Sequence, residues 1–152
     1  MSKMKIAVAA DHGGLNLKNR IKEYLLKKGF QISDFGTDST DSCDYPDFAL
    51  SAAEAVASGE CDRGIIVCTT GIGVSIVANK VPGIRCALCH DALGAEMTRR
   101  HNDANILALG AVAVEAEDAL QIVDIFLSTG FEGGRHKLRV DKITEIEKKY
   151  SK

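Results

Sequence analysis

The 152-residue chain has no surplus of charge of either sign: 19 lysines and arginines stand against 21 aspartates and glutamates, a formal net charge of -2. The signs are interspersed, so no field invites nucleic acid or an anionic membrane, and an anionic ligand has to be held by a local arrangement. No run of 18 apolar residues occurs, and Met1-Ser2-Lys3-Met4-Lys5 leads into a short apolar stretch without a signal-peptide core and cleavage site. A soluble, cytoplasmic protein is expected. Five cysteines, an odd number at irregular spacing, suit reduced thiols rather than a disulfide framework. Internal repeats and low-complexity segments are absent too. What remains is one domain over residues 1–152, long enough at 45% hydrophobic content to bury about 70% of its unfolded surface.

Cofactor motifs are incomplete. Gly71-Ile72-Gly73 opens like a dinucleotide-binding turn, but Ile76 stands where the third glycine belongs, and no acidic partner follows about 20 residues on. The Gly-Lys-Ser/Thr ending of a Walker loop is missing. Cys86-Ala87-Leu88-Cys89-His90 matches the haem-attachment pattern and half of a zinc site. It lies within an apolar run that reads as a buried strand, where residues three apart point to opposite faces, so its sulfurs are read as core filler. No cofactor and no metal are expected.

What is present is an alternation of short apolar or β-branched runs, at 5–10, 30–34, 64–68, 84–89 and 105–109, with longer segments of helical period. That pattern predicts repeated βα units around a mostly parallel sheet. The helices fall at 15–28, stopped by Gly29, and at 46–58, opened by Pro46 and stopped by Gly59. Others follow at 72–80, 91–100 and 115–127, with a polar C-terminal one at 136–150. Ligands of open α/β sheets bind outside the carboxyl ends of the strands, so the turns after residues 10, 68 and 109 are expected to share one crevice.

Gly64-Ile65-Ile66-Val67-Cys68-Thr69-Thr70-Gly71-Ile72-Gly73 is the most informative stretch. It places a thiol where an apolar strand gives way to a glycine turn and a helix start, whose unpaired N–H groups and dipole favour a thiolate and a nearby oxyanion. Cys68 reads equally as a base or as a buried, inert sulfur. Asp11 and His12, before Gly13-Gly14, can bind hydroxyls or an anion, or Asp11 can simply cap the next helix. In His101-Asn102-Asp103 the imidazole suits proton transfer near neutrality, while a polar helix end reads as well. Arg135 and Arg139, four apart after Gly133-Gly134, can converge on one phosphate or form a solvated face.

Together Asp11-His12-Gly13-Gly14, Asp44-Tyr45-Pro46, Cys68-Thr69-Thr70-Gly71-Ile72-Gly73-Val74-Ser75, Ala78-Asn79-Lys80, His101-Asn102-Asp103 and Gly133-Gly134-Arg135-His136 closely resemble the type B members of the ribose/galactose-phosphate isomerase family. The match runs in order through nearly the whole chain. The resemblance implies a Rossmann-like three-layer α/β/α sandwich with a five-stranded parallel sheet, in a homodimer or homotetramer whose sites lie between subunits. It implies metal-free interconversion of an aldose phosphate and its ketose through an enediolate. In that reading Cys68 is the base, the amides from Thr69 through Gly71 and Ile72 to Gly73 hold the oxyanion, and Thr70 assists. Asp11 and His101 open the sugar ring, Asn102 binds a hydroxyl, His12, Arg135 and Arg139 take the phosphate, and Tyr45 lies nearby.

Two departures bear on the substrate. The family's Gly-x-Arg-Val-Val-Gly-like stretch reads Gly110-Ala111-Val112-Ala113-Val114-Glu115, so one cation is missing, and its Cys-Gly-Thr-Gly reads Cys68-Thr69-Thr70-Gly71, placing a β-branched residue in the cradle. Ribose 5-phosphate and ribulose 5-phosphate are the expected pair. Allose 6-phosphate, a tetrose phosphate, an unphosphorylated sugar and a non-catalytic sugar-phosphate-sensing domain are the alternatives.

Overall fold

A computed structural model describes residues 3–151. Five parallel strands, β1 (Lys5–Ala10), β2 (Gln31–Asp34), β3 (Arg63–Cys68), β4 (Cys86–Leu88) and β5 (Ile106–Gly110), form one sheet in the order β2-β1-β3-β5-β4. The helices are α1 (Leu15–Lys27), α2 (Tyr45–Ala57), α3 (Ile72–Ala78), α4 (Ala92–Asn102), α5 (Ala116–Ser128) and α6 (Arg135–Tyr150). The three-layer α/β/α architecture expected from the sequence is the one found. No helix among the described residues is long and apolar enough to cross a membrane.

Strand alternation builds two cores. Ile6, Val8, Ile65, Val67, Leu107 and Leu109 pack with α1, α5 and Ala95 of α4, whereas Ala7, Ala9, Ile66, Cys68 and Ala108 pack with α2 and α3. Burial on both faces explains why the central strands read as unbroken apolar runs rather than as alternating ones. The second core is alanine-rich, with Ala49, Ala52 and Ala53 of α2 against Ala7 and Ala9, which lets that helix lie close to the sheet.

Three elements depart from the predicted bounds by two residues at one end, the first being α3, which stops at Ala78 rather than at 80. β4 is an edge strand that pairs only with β5, over Cys86–Leu88, so its ends lack the second neighbour that would extend it. Helix α4 runs two residues further than the periodicity indicates and takes in His101 and Asn102 before Asp103 turns left-handed at φ 49°. The Cys86 and Cys89 sulfurs pack into opposite cores, as their spacing implies. Helix α6 lies outside the layers against α4, buries only Val140, and leaves Leu138, Ile143, Ile146 and Tyr150 exposed.

Candidate active site

The sheet order reverses between β1 and β3: β1 connects outward to β2, while the chain after β3 builds the other half of the sheet. The carboxyl ends at such a switch point form the ligand crevice of open α/β sheets. Asp11 follows one of these strands and Cys68 ends the other. A pocket of about 430 Å³ lies there, lined by Asp11, Tyr45, Cys68, Thr69, Thr70 and Gly73, with Ile72 and Ile76 at its wall.

Backbone geometry makes the turn after Cys68 a cradle. Gly71 adopts φ +79°, and a Cβ on it would lie 2.8 Å from the Leu109 carbonyl carbon and 2.9 Å from the Gly110 nitrogen, so no larger residue fits. The Gly71 N–H donates to Cys68 Sγ at 3.1 Å, a contact that favours charge on sulfur. The Ile72 N–H donates to Thr70 Oγ1 at 3.2 Å, leaving that hydroxyl free to donate its own hydrogen. In the first turn of α3 the Gly73 and Val74 N–H groups have no acceptor among the described residues, as the geometry of a helix start requires. Tyr45 closes over this turn, its Cε1 only 2.6 Å from where a Cβ on Gly73 would sit.

Three of the other thiols disfavour the thiolate. Burial raises the pKa of Cys61, raises that of Cys86 further, and pushes Cys89 up to about 11. Among the described residues only the Cys68 sulfur accepts a backbone N–H.

Asp11 does not cap α1, whose N-cap is Gly14 without a side-chain bond, but it fixes the turn that leads into that helix. Its Oδ1 accepts the Gly13 and Gly14 N–H groups at 2.9 and 3.1 Å, and Asp11 also lines the pocket. His12 is exposed, and its Nδ1 accepts the Cys43 N–H at 3.2 Å, which assigns the proton of the neutral ring to Nε2. The loop carrying Cys43 and Tyr45 is fixed from below. Buried Lys18 donates to Asp34 at 2.8 Å and to the Thr37 carbonyl at 2.6 Å, and Ala10 exchanges backbone bonds with Gly36 and Thr37. Burial alone would raise the Asp34 pKa, but Lys18, the Gly36 N–H and Lys22 outweigh it and hold the carboxyl below its ordinary value.

His101, Asn102, Arg135 and Arg139 do not join this crevice. Helix α4 starts near the carboxyl ends of the strands and runs back antiparallel to them, and its 11 residues span about 16 Å. His101 and Asn102 in its last turn therefore sit at the opposite edge of the sheet from Cys68, far beyond proton-transfer reach of about 3 Å. A second cluster gathers there. The His101 and His136 rings stack with centroids 4.1 Å apart, and Glu132 Oε1 lies 3.8 Å from His101 Nε2 and 3.4 Å from His136 Nε2. Burial, then the neighbouring His101 and Arg135, lowers the His136 pKa, with Glu132 opposing. Arg135 and Arg139 are exposed and form no ion pair among the described residues. They flank the N-terminus of α6, where backbone N–H groups already favour an anion.

The residues read as one site thus fall into two groups at opposite edges of one chain. Sequence reasoning gave Glu132, His136 and Ile76 no role; the four-residue step from Glu132 to His136 was the available signal for the first pair. Val112, 75% exposed, is bonded through its N–H to the Thr69 carbonyl at 3.1 Å but lines a neighbouring pocket with Gly13, Asn16 and Arg20 rather than the one at Cys68. The Thr69 side chain lies over Gly13, where its Oγ1 would be 2.2 Å from an added Cβ.

A family model described as Ribose/Galactose Isomerase matches residues 6–143. The structure of ribose-5-phosphate isomerase B from Clostridium thermocellum superposes with a TM-score of 0.96 at 60% identity, covering 97% of this chain and 100% of that one. Ribose-5-phosphate isomerase B of Escherichia coli is 47% identical over 95% of this chain and 97% of its own length. D-erythrulose-4-phosphate isomerase of Pectobacterium atrosepticum is 44% identical over 95% of each. With residues 6–143 matched by the family model and nearly its whole length by these relatives, the chain belongs to the ribose/galactose isomerase family.

Proposed function

We propose that the chain interconverts ribose 5-phosphate and ribulose 5-phosphate, with Cys68 as the base, in sites completed by a second copy of the chain. The observation that carries the reading is the Cys68 sulfur at the end of β3, with the Gly71 N–H on it and unpaired α3 N–H groups beside it. A proton α to a carbonyl is weakly acidic, so its removal needs a partly desolvated base and preorganised donors where negative charge develops. Cys68 takes the C2 proton of the open-chain aldose and returns it to C1. The N–H groups from Thr69 to Gly73 and the Thr70 hydroxyl hold the enediolate oxygens.

Before that step the sugar ring must open, which Asp11 and His101 carry out, with Asn102 on a hydroxyl and His12, Arg135 and Arg139 on the phosphate. Since Cys68 and His101 lie at opposite edges of one chain, His101, Asn102 and the arginines come from a partner subunit. The exposed apolar residues Ile72 and Ile76 beside the pocket and Leu138, Ile143 and Ile146 on α6 support association.

A panel of pentose, hexose and tetrose phosphates with the matching free sugars tests the reading, and turnover of ribose 5-phosphate above the rest is expected. Arg135→Ala and Arg139→Ala are each expected to weaken phosphorylated substrates by about 1.5–3 kcal/mol and free sugars far less. Equal losses on both would remove the phosphate role.

A tetrose phosphate is the second reading, favoured by Val112 in place of a cation and by the erythrulose-phosphate relative. With ribose 5-phosphate as the substrate, Val112→Arg restores a binding contact and lowers KM with kcat little changed. A pocket retuned for another sugar is instead harmed by the new charge. Unchanged kinetics across the panel would place position 112 outside the site.

A further inference from the structure

We propose that His101, Glu132 and His136 form a binding site for a divalent transition metal, zinc above all, and that filling it shuts the isomerase down. One ligand atom from each of the three lies within 4.8 Å of the others. Two imidazole nitrogens and one carboxylate oxygen are a donor set that zinc takes with a fourth position to spare. Zinc bonds of about 2.0–2.2 Å hold tetrahedral ligand atoms about 3.3–3.6 Å apart. The pair of His136 Nε2 and Glu132 Oε1, at 3.4 Å, already meets that spacing, and His101 Nε2, at 3.8 Å from the same oxygen, needs a shift of a few tenths of an ångström. The two rings lie within 12° of parallel and must splay for both nitrogens to face one ion. They stand at the ends of two different helices, the last turn of α4 and the first of α6, where such a rotation leaves the backbone in place.

The cluster is held together without any ion. The Glu132 N–H donates to the Arg100 carbonyl at 3.0 Å, tying the loop to α4. Arg100 Nη1 takes the other carboxylate oxygen, Oε2, at 3.3 Å, so Oε1 is the one aimed at the histidines. A neighbour that fixes one carboxylate oxygen in this way aims the other at the metal. Arg100 and the nearby Arg135 work against a cation, which makes this a site filled at elevated metal rather than a permanent structural centre. The metal would occupy the His101 lone pair that proton transfer needs. That inhibition rests on the isomerase reading; the binding does not.

The test measures both on the intact, metal-stripped oligomer. Zinc competition against a chromophoric chelator should show one ion per chain, and Glu132→Gln and His136→Gln should each weaken it at least about tenfold, with circular dichroism showing both variants folded. Cobalt(II) in the site should give ligand-field bands without thiolate-to-cobalt charge transfer. Zinc should abolish turnover of ribose 5-phosphate, and EDTA should restore it. A thiolate band, equal affinity in wild type and both variants, or no zinc taken from the chelator overturns the site. Full turnover with the site filled overturns the inhibition and leaves the site standing. Metal-free protein that isomerises no sugar would instead sink the isomerase reading, with the binding data unaffected.

Discussion

Cys68→Ala is expected to cut turnover at least about a hundredfold, the lower end of what a positioned acid–base group contributes, while the protein stays folded. The side chain is 5% exposed, so the substitution opens a small void and removes the acceptor of the Gly71 N–H. An unpaired buried donor costs about 1–3 kcal/mol, against a total stability of about 5–15 kcal/mol for a domain of this kind. The loss should therefore appear in kcat, with the unfolding midpoint lowered by about 2–12 °C and the protein still folded at assay temperature. Cys68→Ser separates the two roles of the sulfur, since a hydroxyl can still accept the Gly71 N–H but is a far weaker acid, and its turnover should fall nearly as far. Cys86→Ala is the matching control: a core thiol whose burial disfavours the thiolate should be dispensable for kcat. Retention by Cys68→Ala of more than about a tenth of the wild-type rate, well above the hundredfold floor, would end the assignment of the base.

The parts of the molecule that were legible in the sequence are those whose signal is local. Strands β1, β3 and β5 are buried on both faces, and an unbroken apolar run bounded by turn residues has few other readings. The cysteine turn was legible because a strand end, a glycine at φ +79° and a helix start follow one another within a few residues. The end of α4 was not. Arg99, 2% exposed, donates to Asp103 at 2.8 Å and the Ala104 carbonyl at 2.7 Å just past the helix end, and to the Thr129 carbonyl at 3.1 Å, 30 residues on, which ties the last turn with His101 and Asn102 to the segment after α5. A tertiary anchor of that kind leaves no mark on helical periodicity. The separation of His101 from Cys68 follows from the direction of a crossover helix, yet reading motifs in chain order hides it, because residues of one function need not lie at one edge of one chain.

That separation sets up the second large effect. Cys68→Ala and His101→Asn, each expected to be nearly inactive as a pure oligomer, should regain activity when co-expressed. If every site takes Cys68 from one subunit and His101 from the other, a hybrid dimer holds one site with both lesions and one with neither. Random association makes half the dimers hybrids, and each has one intact site of two, so about a quarter of wild-type activity returns, as the symmetry of an isologous pair dictates. A site built within one chain behaves otherwise, because each subunit of the hybrid then carries its own lesion and nothing is recovered. The measurement is turnover of the co-expressed mixture, with hybrids isolated by two different affinity tags, and recovery indistinguishable from the sum of the two pure variants would overturn the shared site. Arg139→Ala in place of His101→Asn extends the test to the phosphate clamp. It should complement Cys68→Ala on phosphorylated substrates by the same arithmetic, because Arg139 stands on α6, whose first turn holds the His136 ring stacked on His101.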